Sequence, residues 1–206
     1  MKGKRQKTDL VRWKAGGIRG IIDNMADSLA PAFVIAVPEM LDPNFSRTVV
    51  LLLQQGADGA LGVVLNRETS LRLRDLCRDH DIDYAGPSDK RVRLGGPVQP
   101  EQGLVIYSSD HSDPEGRPVG DRLRVSASTG TLSRLCRMER GRFHCFSGYA
   151  GWAPGQLERE INEGSWIVTP IDVSLVLDLP PDEMWEKALR DNGLDPAAIV
   201  PGGDPS

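Results

Sequence analysis

The sequence has little of what marks secreted, membrane-spanning or disulfide-rich proteins. Three cysteines occur in 206 residues at irregular spacing, which argues against a disulfide framework and for a reducing compartment. No apolar run approaches the ~20 residues that a membrane-spanning helix needs. The first residues are basic, but no continuous apolar stretch or small-residue cleavage site follows them. We therefore expect no secretory signal and a cytoplasmic location.

Signatures of metal binding and nucleophilic catalysis are also lacking. Cys77 lies near His80, and His144 abuts Cys145, but neighbouring residues on a strand point to opposite faces and do not form a zinc site. No Gly-x-Ser-x-Gly elbow appears, and no recognisable spacing ties a histidine to a serine or cysteine. We predict no metal, no cofactor and no identifiable catalytic residue.

What the chain does have is the composition of one ordinary globular domain. Its 206 residues can bury one sizeable core, and 39% are hydrophobic and 26% charged. We predict a domain over residues 29–195, between a basic N-terminal extension (1–28) and a flexible C-terminal tail (196–206). Apolar residues at helical spacing predict a short amphipathic helix over residues 20–29 of the extension.

Charge is distributed unevenly along the chain. Of 25 basic and 29 acidic residues, 7 basic residues and 1 acidic residue lie in residues 1–19, which leaves 18 basic and 28 acidic residues in the remainder. A body with this acidic excess repels a phosphate backbone at long range, so we do not expect the domain itself to bind DNA. The basic residues at the N-terminus are expected to form a solvated tail, with DNA binding through that tail as a further possibility.

The most informative stretch is Ser147–Trp166, which is rich in glycine and aromatic residues. The apolar run Phe143–Phe146 before it predicts a strand that ends at Gly148, and an extended run resumes at Trp166. Between them the pattern predicts a helix that begins at Pro154. The segment therefore reads as a strand, a turn, a helix and a strand.

The expected start of this helix is specified in detail. With Pro154 as the first helical residue, Trp152 and Leu157 have the spacing of a hydrophobic staple. Gln156 is then placed to accept a hydrogen bond from the backbone N–H of the cap residue. Gly164 is expected to end the helix.

Two strands before this unit predict a hairpin. Thr48–Leu53 is an unbroken apolar run, and Leu61–Leu65 follows it after the turn dipeptide Asp58–Gly59. Arg47 immediately precedes the first strand, and Asn66–Arg67 immediately follows the second. Because antiparallel pairing brings these positions to one end of the sheet, they are the first candidates for a site.

The rest of the chain predicts further short strands and helices, and for one segment the sequence does not decide between the two. Ile171–Leu177 fits either a strand or a short helix. The other expected strands are Phe33–Val37, Val92–Leu94, Gly103–Tyr107 and Leu123–Val125, and the other expected helices run from Leu71 to Arg78, from a cap at Thr129 to near Gly141, and from Pro180–Pro181 to Gly193.

Four blocks in order resemble the bacterial AlgH/YqgE family. They are Val37–Val50, Asp58–Arg67, Gly95–Val98 and the stretch Gly148–Trp152 continued by Gly155–Leu157, Glu160 and Trp166. The resemblance covers most of residues 33–194. It implies a single-domain α/β protein of the bacterial cytoplasm, in a family whose members are often labelled transcriptional regulators and have no established catalytic mechanism. We predict an α/β (α+β) domain with a mixed, strongly curved or barrel-like β-sheet flanked by helices.

This chain departs from the family pattern in its second block. A histidine or another polar residue often precedes the acidic turn in the family, where this sequence has Gln54 or Gln55. A proline commonly follows the Asn-Arg pair, where this sequence has Glu68. Histidine-dependent chemistry at that edge is therefore not expected here.

The candidate site is a groove near the Arg47, Asn66 and Trp152 segments. Gly95–Gly96 either presents N–H groups to an anion or, as we favour, permits strands to approach closely. Gly148, Gly151 and Gly155 lack the Gly-x-Gly-x-x-Gly spacing of a dinucleotide site, so close packing is favoured there as well. The ligand-binding candidates are Asp42, Arg47, Asn66, Gly95, Gly96, Trp152, Gln156 and Glu160.

Three functional hypotheses follow. The first, in line with the family's label, is a regulatory or interaction protein with a protein or small-molecule partner, the latter held in that groove. The second is an enzyme for a small anionic substrate, with Arg47 binding the anion and Asp42 or Glu160 as the acid or base. The third is a DNA-binding regulator that acts through its basic tail.

Overall fold

A computed structural model describes residues 31–111, 113 and 115–196. Its strands are β1 (Ala32–Ala36), β2 (Val49–Gly56), β3 (Gly59–Val64), β4 (Glu68–Arg72), β5 (Arg91–Leu94), β6 (Val98–Ser108), β7 (Arg117–Val119), β8 (Leu123–Ser126), β9 (Phe143–Trp152) and β10 (Trp166–Thr169). Its helices are α1 (Leu73–Asp79), α2 (Thr129–Cys136), α3 (Gln156–Asn162), α4 (Val173–Leu177) and α5 (Pro181–Asp191).

The strands form one curled, half-barrel sheet. Eight of them follow the order β10-β1-β2-β3-β9-β6-β8-β7, while β5 pairs with β9 and β4 pairs with β5. All pairs are antiparallel except β5 with β9. The predicted single domain with a mixed, curved sheet and flanking helices is confirmed. Within the described ranges, no helix has the length and apolar character to span a bilayer.

The predicted hairpin is formed by β2 and β3. Gly56 pairs with Gly59 across the turn, and Val50 pairs with Val64 at the other end of the ladder. Residues 48–53 are all buried, as an unbroken apolar strand requires. Along β2, Leu51 joins one apolar cluster and Val50 and Leu52 join another, because alternate side chains point to opposite faces.

Helices cover both faces of the sheet. Helices α4 and α5 pack on the cluster that contains Leu51. The other side carries two clusters: α3 covers the one that contains Val50, and α1 and α2 cover one formed with β5, β6 and β9. The open segment, residues 171–177, is resolved as helix α4, because the Asp172 carboxylate accepts a hydrogen bond from Ser174 N at 2.9 Å and caps it.

Two strands extend further than the sequence predicted. The strand expected to end at Gly148 runs on to Trp152 because Gly148, at φ 70°, turns the backbone without ending its pairing. Its partner β6 begins at Val98, before the predicted start at Gly103, and the register shifts between Val98 and Gly103. Strands β6 and β9 are therefore longer than predicted, and their pairing contains an irregularity of the kind seen at β-bulges.

Other boundaries also need correction. Helix α3 begins at Gln156 and not at Pro154, because Gly155 is left-handed at φ 69°. Helix α2 is capped by Ser128 rather than Thr129, and it ends at Cys136, before Gly141. The short strands β4 and β7 were not predicted; β7 contains Pro118 and lies at the edge of the sheet, where a missing N–H is tolerated.

Several predictions concern parts of the chain that the structure does not describe. The helix expected over residues 20–29 and nearly all of both predicted terminal segments lie outside the described residues. The end of α5 is described and matches expectation, since Gly193 N and Leu194 N donate to Arg190 O at 3.0 Å and Leu189 O at 3.1 Å in a Schellman motif.

Candidate functional site

Arg47 and Asn66 meet at one end of the β2–β3 hairpin, as predicted. Asn66 Nδ2 donates to Arg47 O at 2.9 Å, and Asn66 Oδ1 accepts from Val49 N at 3.0 Å. The amide therefore bridges the chain into the first strand. Its contacts in the structure fix the backbone at the end of the sheet.

The side chain of Arg47 is directed toward α5. Its Nη2 lies 3.2 Å from the Glu186 carboxylate, and its guanidinium lies 4.7 Å from the centre of the Trp185 ring. The residue adopts φ 55°, a left-handed conformation that is uncommon outside glycine. Arg47 thus joins the loop to α5 through an ion pair and a cation–π contact.

Asp42 organises the loop that precedes Arg47. Its Oδ1 accepts from Asn44 N at 2.8 Å. Its carbonyl oxygen accepts from Phe45 N at 2.9 Å and from Ser46 N at 2.7 Å. These bonds form compact turns in which the carboxylate of Asp42 orders its own backbone.

Arg67 holds this loop from the other side; it belongs to the predicted convergence with Arg47 and Asn66 but was not among the eight ligand-binding candidates. Its Nη2 donates to Pro43 O at 3.2 Å and to Ser46 O at 2.8 Å. Beside it lies a cleft of about 90 Å³. The cleft is lined by Pro43, Asn44, Val64, Arg67, Leu94, Gly96 and Pro97. A signal was present in the sequence, since Arg67 follows Asn66 in the same converging segment.

Gly95 and Gly96 allow the turn after β5 to lie directly against β9. Gly95 N donates to Ser147 O at 2.8 Å, so this N–H is already satisfied by the protein. A Cβ at Gly95 would lie 2.3 Å from Gly148 O, and one at Gly96, which has φ 151°, would lie 2.2 Å from the carbonyl carbon of Tyr149. Close approach of two backbones explains both glycines.

Glu160 is the centre of a second cluster. Its Oε2 accepts from Trp152 Nε1 at 3.0 Å and from Trp166 Nε1 at 2.8 Å. Its Oε1 accepts from Gln156 Nε2 at 2.8 Å. One carboxylate thus joins both ends of the strand–turn–helix–strand unit.

Aromatic rings complete this cluster. Phe45 stacks on Trp152 with centroids 5.8 Å apart and meets Trp166 edge-on at 5.5 Å, and the two indoles are 5.9 Å apart. Trp152 is only 5% exposed, and it shares an apolar cluster with the buried Leu157. Because the helix begins at Gln156 with Gly155 as its cap, the two residues do not occupy the N′ and N4 positions of the predicted staple. Rings at these separations are in direct contact with one another. The group is a packed core that anchors the Asp42–Arg47 loop through Phe45.

Gln156 forms the hydrogen bond predicted for it, but Ala153, the expected cap residue, lies two residues before the observed cap Gly155. Its Oε1 accepts from Ala153 N at 3.0 Å, although the helix begins two residues later than expected. Its other amide atom donates to Glu160, so Gln156 links the turn to the carboxylate. A groove of about 220 Å³ lies on the hairpin side of Trp152, between Gln54 and Tyr149.

The electrostatics do not single out a proton donor for neutral pH. Burial tends to raise the pKa of Asp113, but hydrogen bonds from Tyr107 and Thr131 bring it below its usual range. A hydrogen bond from Gln55 lowers the pKa of Glu158. These carboxyl groups stay ionised at neutral pH. In the part of the chain that the structure describes, no three His, Cys, Asp or Glu residues are grouped to hold a metal ion.

The fold and these contacts can be compared with known proteins. A family described as AlgH-like matches residues 33–197. The chain belongs to the AlgH-like family. A UPF0301 protein of Anaeromyxobacter sp. (strain K) is 40% identical over 184 residues, which covers 85% of this chain and 93% of that protein. A UPF0301 protein of Myxococcus xanthus is 39% identical over 176 residues, covering 85% and 97%.

Solved structures agree with this assignment. The solution structure of the AlgH protein from Pseudomonas aeruginosa has a TM-score of 0.67 at 30% identity and covers 88% of this chain and 99% of that one. A crystal structure from Corynebacterium diphtheriae has a TM-score of 0.66 at 23% identity, covering 83% and 92%, and shows the shared fold alone. The AlgH-like family resemblance seen in the sequence is therefore confirmed.

Proposed function

We propose that this AlgH-like chain is a regulatory or interaction protein whose partner contacts the surface formed by residues 40–47 and 94–97, the loop face. The observation that carries the proposal is Leu41, which is 92% exposed on a loop whose neighbouring residues are firmly held. The same loop borders a cleft lined by Pro43, Leu94 and Pro97, so this face carries apolar area of the kind that marks interaction sites.

The order of the loop supports this proposal. Turn hydrogen bonds of Asp42, the two carbonyl bonds of Arg67 and the aromatic contacts of Phe45 fix the loop on three sides. A loop that is already ordered loses little conformational entropy when it binds. Leu41 is thus presented to a partner at low entropic cost.

The neighbouring cleft suggests the chemistry of that partner. Leu94 is exposed, and it lines the cleft with Pro43 and Pro97. Arg67 donates hydrogen bonds to the carbonyl oxygens of Pro43 and Ser46, and no carboxylate among the described residues forms an ion pair with it. An extended apolar segment with an acidic side chain complements this combination.

The contacts of the candidate residues weigh against the enzyme hypothesis. Both oxygens of Glu160 accept hydrogen bonds from the protein, and Arg47 is paired with Glu186. The clefts beside Arg67 and Trp152, about 90 and 220 Å³, fall below the usual range of small-molecule pockets, roughly 300–1,000 Å³. A protein partner fits these dimensions better than a small anionic substrate does.

The proposal is tested by placing a photo-crosslinking amino acid at position 41 in the host cell. The matched control is position 168, because Val168 is also an exposed aliphatic residue, 49% exposed, and lies on edge strand β10. We expect a discrete protein adduct from position 41 that is absent from position 168. In a second measurement, Arg67→Gln is combined with the crosslinker at position 41, and the yield of the adduct is expected to fall.

Other outcomes would favour the other hypotheses. The absence of any protein adduct from position 41 contradicts the proposal. A small molecule retained by the purified protein in native mass spectrometry, without a protein adduct, supports the ligand-binding or enzymatic alternative. An electrophoretic shift of duplex DNA that weakens steeply with salt and disappears on removal of residues 1–19 supports DNA binding through the basic tail.

A further inference from the structure

Two buried thiols are in contact on the sheet face covered by α1 and α2. Cys77 lies in the last turn of α1, and Cys136 is the last residue of α2. Their Sγ atoms are 3.3 Å apart although the residues are 59 positions apart in the chain. A disulfide holds its sulfur atoms about 2.05 Å apart, so a movement of roughly 1.3 Å would join this pair.

The surroundings make Cys77 the better nucleophile of the two. The hydrogen bond from Cys136 lowers the pKa of the Cys77 thiol, against the opposing effect of burial. The same hydrogen bond and burial raise the pKa of Cys136, which keeps its proton. The thiolate is the form of cysteine that attacks electrophiles. The pair therefore combines an attacking sulfur with a protonated one in contact with it.

A third thiol provides an internal comparison. Cys145 belongs to the same apolar cluster and lies on β9. Burial raises the pKa of its thiol. Cys145 shares the environment of the pair, but among the described residues its sulfur atom is not in contact with another sulfur atom. Selective chemistry at Cys77 and Cys136 must therefore come from their contact and not from burial in this cluster.

Small reagents can reach the pair by local opening of residues 80–90. This segment has neither helix nor strand, and it places Ile82 and Tyr84 on the cluster that contains both thiols. Backbone hydrogen bonds of 2.8 Å join Ile82 N to Cys77 O and Ala85 N to Cys136 O. Loops of this kind open at a lower free energy than the whole domain.

We propose that Cys77 and Cys136 are a reversible disulfide-forming pair that hydrogen peroxide oxidises. The Cys77 thiolate attacks one peroxide oxygen, an S–O bond forms as the O–O bond breaks, and the departing hydroxide is protonated to water. Cys136 sulfur then attacks the sulfenic sulfur, so that an S–S bond forms and the S–O bond breaks. The Cys136 proton leaves with the second hydroxide as water. Two thiols are oxidised and one peroxide is reduced to two waters.

The bond would join the C-terminal ends of two helices that pack on the same sheet face. It would close a long loop of chain between positions 77 and 136, which limits the conformations open to the unfolded protein. Oxidation is therefore expected to raise the midpoint of thermal unfolding, and reduction is expected to reverse the rise. This inference is independent of the loop face proposed above.

The test uses the full chain, first reduced and then treated with hydrogen peroxide. The product is unfolded, alkylated at free thiols and analysed by intact mass and peptide mapping. We expect one alkylated thiol per chain, at Cys145, and a peptide that links Cys77 to Cys136 and disappears on treatment with dithiothreitol. The Cys145→Ser variant is the matched control and should form the same link, whereas Cys77→Ser and Cys136→Ser should form none.

Three results would overturn the inference. They are retention of all three alkylatable thiols, a link that includes Cys145, and addition of oxygen to Cys77 without a link. The first measurement uses the unaltered chain, so poor folding of a variant does not obscure the outcome.

Discussion

At the scale of single residues, Glu160 shows how a carboxylate can serve as an anchor. It accepts hydrogen bonds from the indole N–H groups of Trp152 and Trp166 and from the amide of Gln156. A buried indole needs an acceptor for its N–H, and a charged acceptor forms a stronger bond than a neutral one. The negative charge therefore stabilises the turn and the strand on either side of α3.

We predict that Glu160→Gln lowers the free energy of unfolding by about 1–3 kcal/mol. The substitution keeps the size of the side chain but removes its charge and replaces one acceptor oxygen with an NH₂ group, so the one remaining oxygen cannot serve both the indole pair and Gln156 Nε2. Urea denaturation followed by tryptophan fluorescence measures the change. Glu163→Gln is the control, since Glu163 is exposed at the C-terminal end of the same helix. Equal stability of the two variants would show that Glu160 is not an anchor.

At the scale of elements, glycine contacts decide how β5 and β9 pack. Gly96 sits against the backbone of Tyr149, and Gly95 sits against that of Gly148. Parallel pairing of β5 with β9 starts next to this contact, where Leu94 pairs with Ser147. A side chain at either position would push the turn after β5 away from β9. Because residues 94–97 form part of the loop face, that surface would change as well.

We predict that Gly96→Ala destabilises the protein much more than Gly164→Ala. Both glycines have positive φ, 151° and 78°, but a Cβ at Gly164 meets no atom within 4 Å, whereas one at Gly96 meets Tyr149 at 2.2 Å. Gly164→Ala should cost about 1–2 kcal/mol through left-handed strain alone. Gly96→Ala adds a backbone collision to its strain. Thermal unfolding of both variants checks this order, and similar losses would contradict it.

At the scale of the whole molecule, a basic pair lies between the sheet and α4, with Arg93 buried and His144 partly buried. His144 Nε2 is 3.1 Å from Leu177 O and 3.4 Å from Arg93 Nη2. Burial, together with the positive charges of Arg93 and Lys90, lowers the pKa of His144 to about 3. His144 is therefore neutral in the folded protein near neutral pH.

This pair predicts a loss of stability in mild acid. The folded pKa of about 3 lies below the ordinary value of 6.5, so the unfolded chain binds a proton that the folded chain excludes. The free energy of unfolding should fall as the pH drops through 6.5, by at most about 1.4 kcal/mol per pH unit from this group. In His144→Gln this contribution is absent, so the variant should lose less stability between pH 6.5 and 4.5.

Urea titrations at several pH values provide the measurement. His111→Gln is the control, because His111 lies on a half-exposed loop far along the chain from α4. The Asp113 and Asp172 carboxyls have lowered pKa values and lose their stabilising effect mainly below pH 4. They therefore contribute little to the change in stability between pH 6.5 and 4.5. Parallel pH profiles for the protein and His144→Gln would contradict the prediction.

Much of the fold was predictable because its signals are local. The β2–β3 hairpin follows from two apolar runs and a glycine turn, and the glycine ends of α3 and α5 follow from the need for a left-handed residue there. The strand–turn–helix–strand unit was also recognisable, although Gly155 delays the helix by two residues. Strand β7 was missed because Pro118 is acceptable only at an edge, and edges are defined by the complete sheet.

The candidate site was only partly predictable. The meeting of Arg47 and Asn66 could be predicted from sequence position alone, since both residues flank one hairpin. It did not show that the Arg47 side chain pairs with Glu186, which lies 139 residues away. It also did not single out Phe45 and Leu41 or show which atoms Arg67 contacts, because these roles depend on which loop atoms are exposed and which are packed.

The sequence by itself determined the elements, the family and the turn chemistry, because these depend on residues close together in the chain. Only the tertiary structure decided that Glu160 accepts from two indoles, that Gly95 and Gly96 lie against the backbone of β9, and that Cys77 touches Cys136. Such contacts join residues from distant segments, and their geometry is set when the curled sheet brings its faces and ends together. Local propensities carry no information about that step.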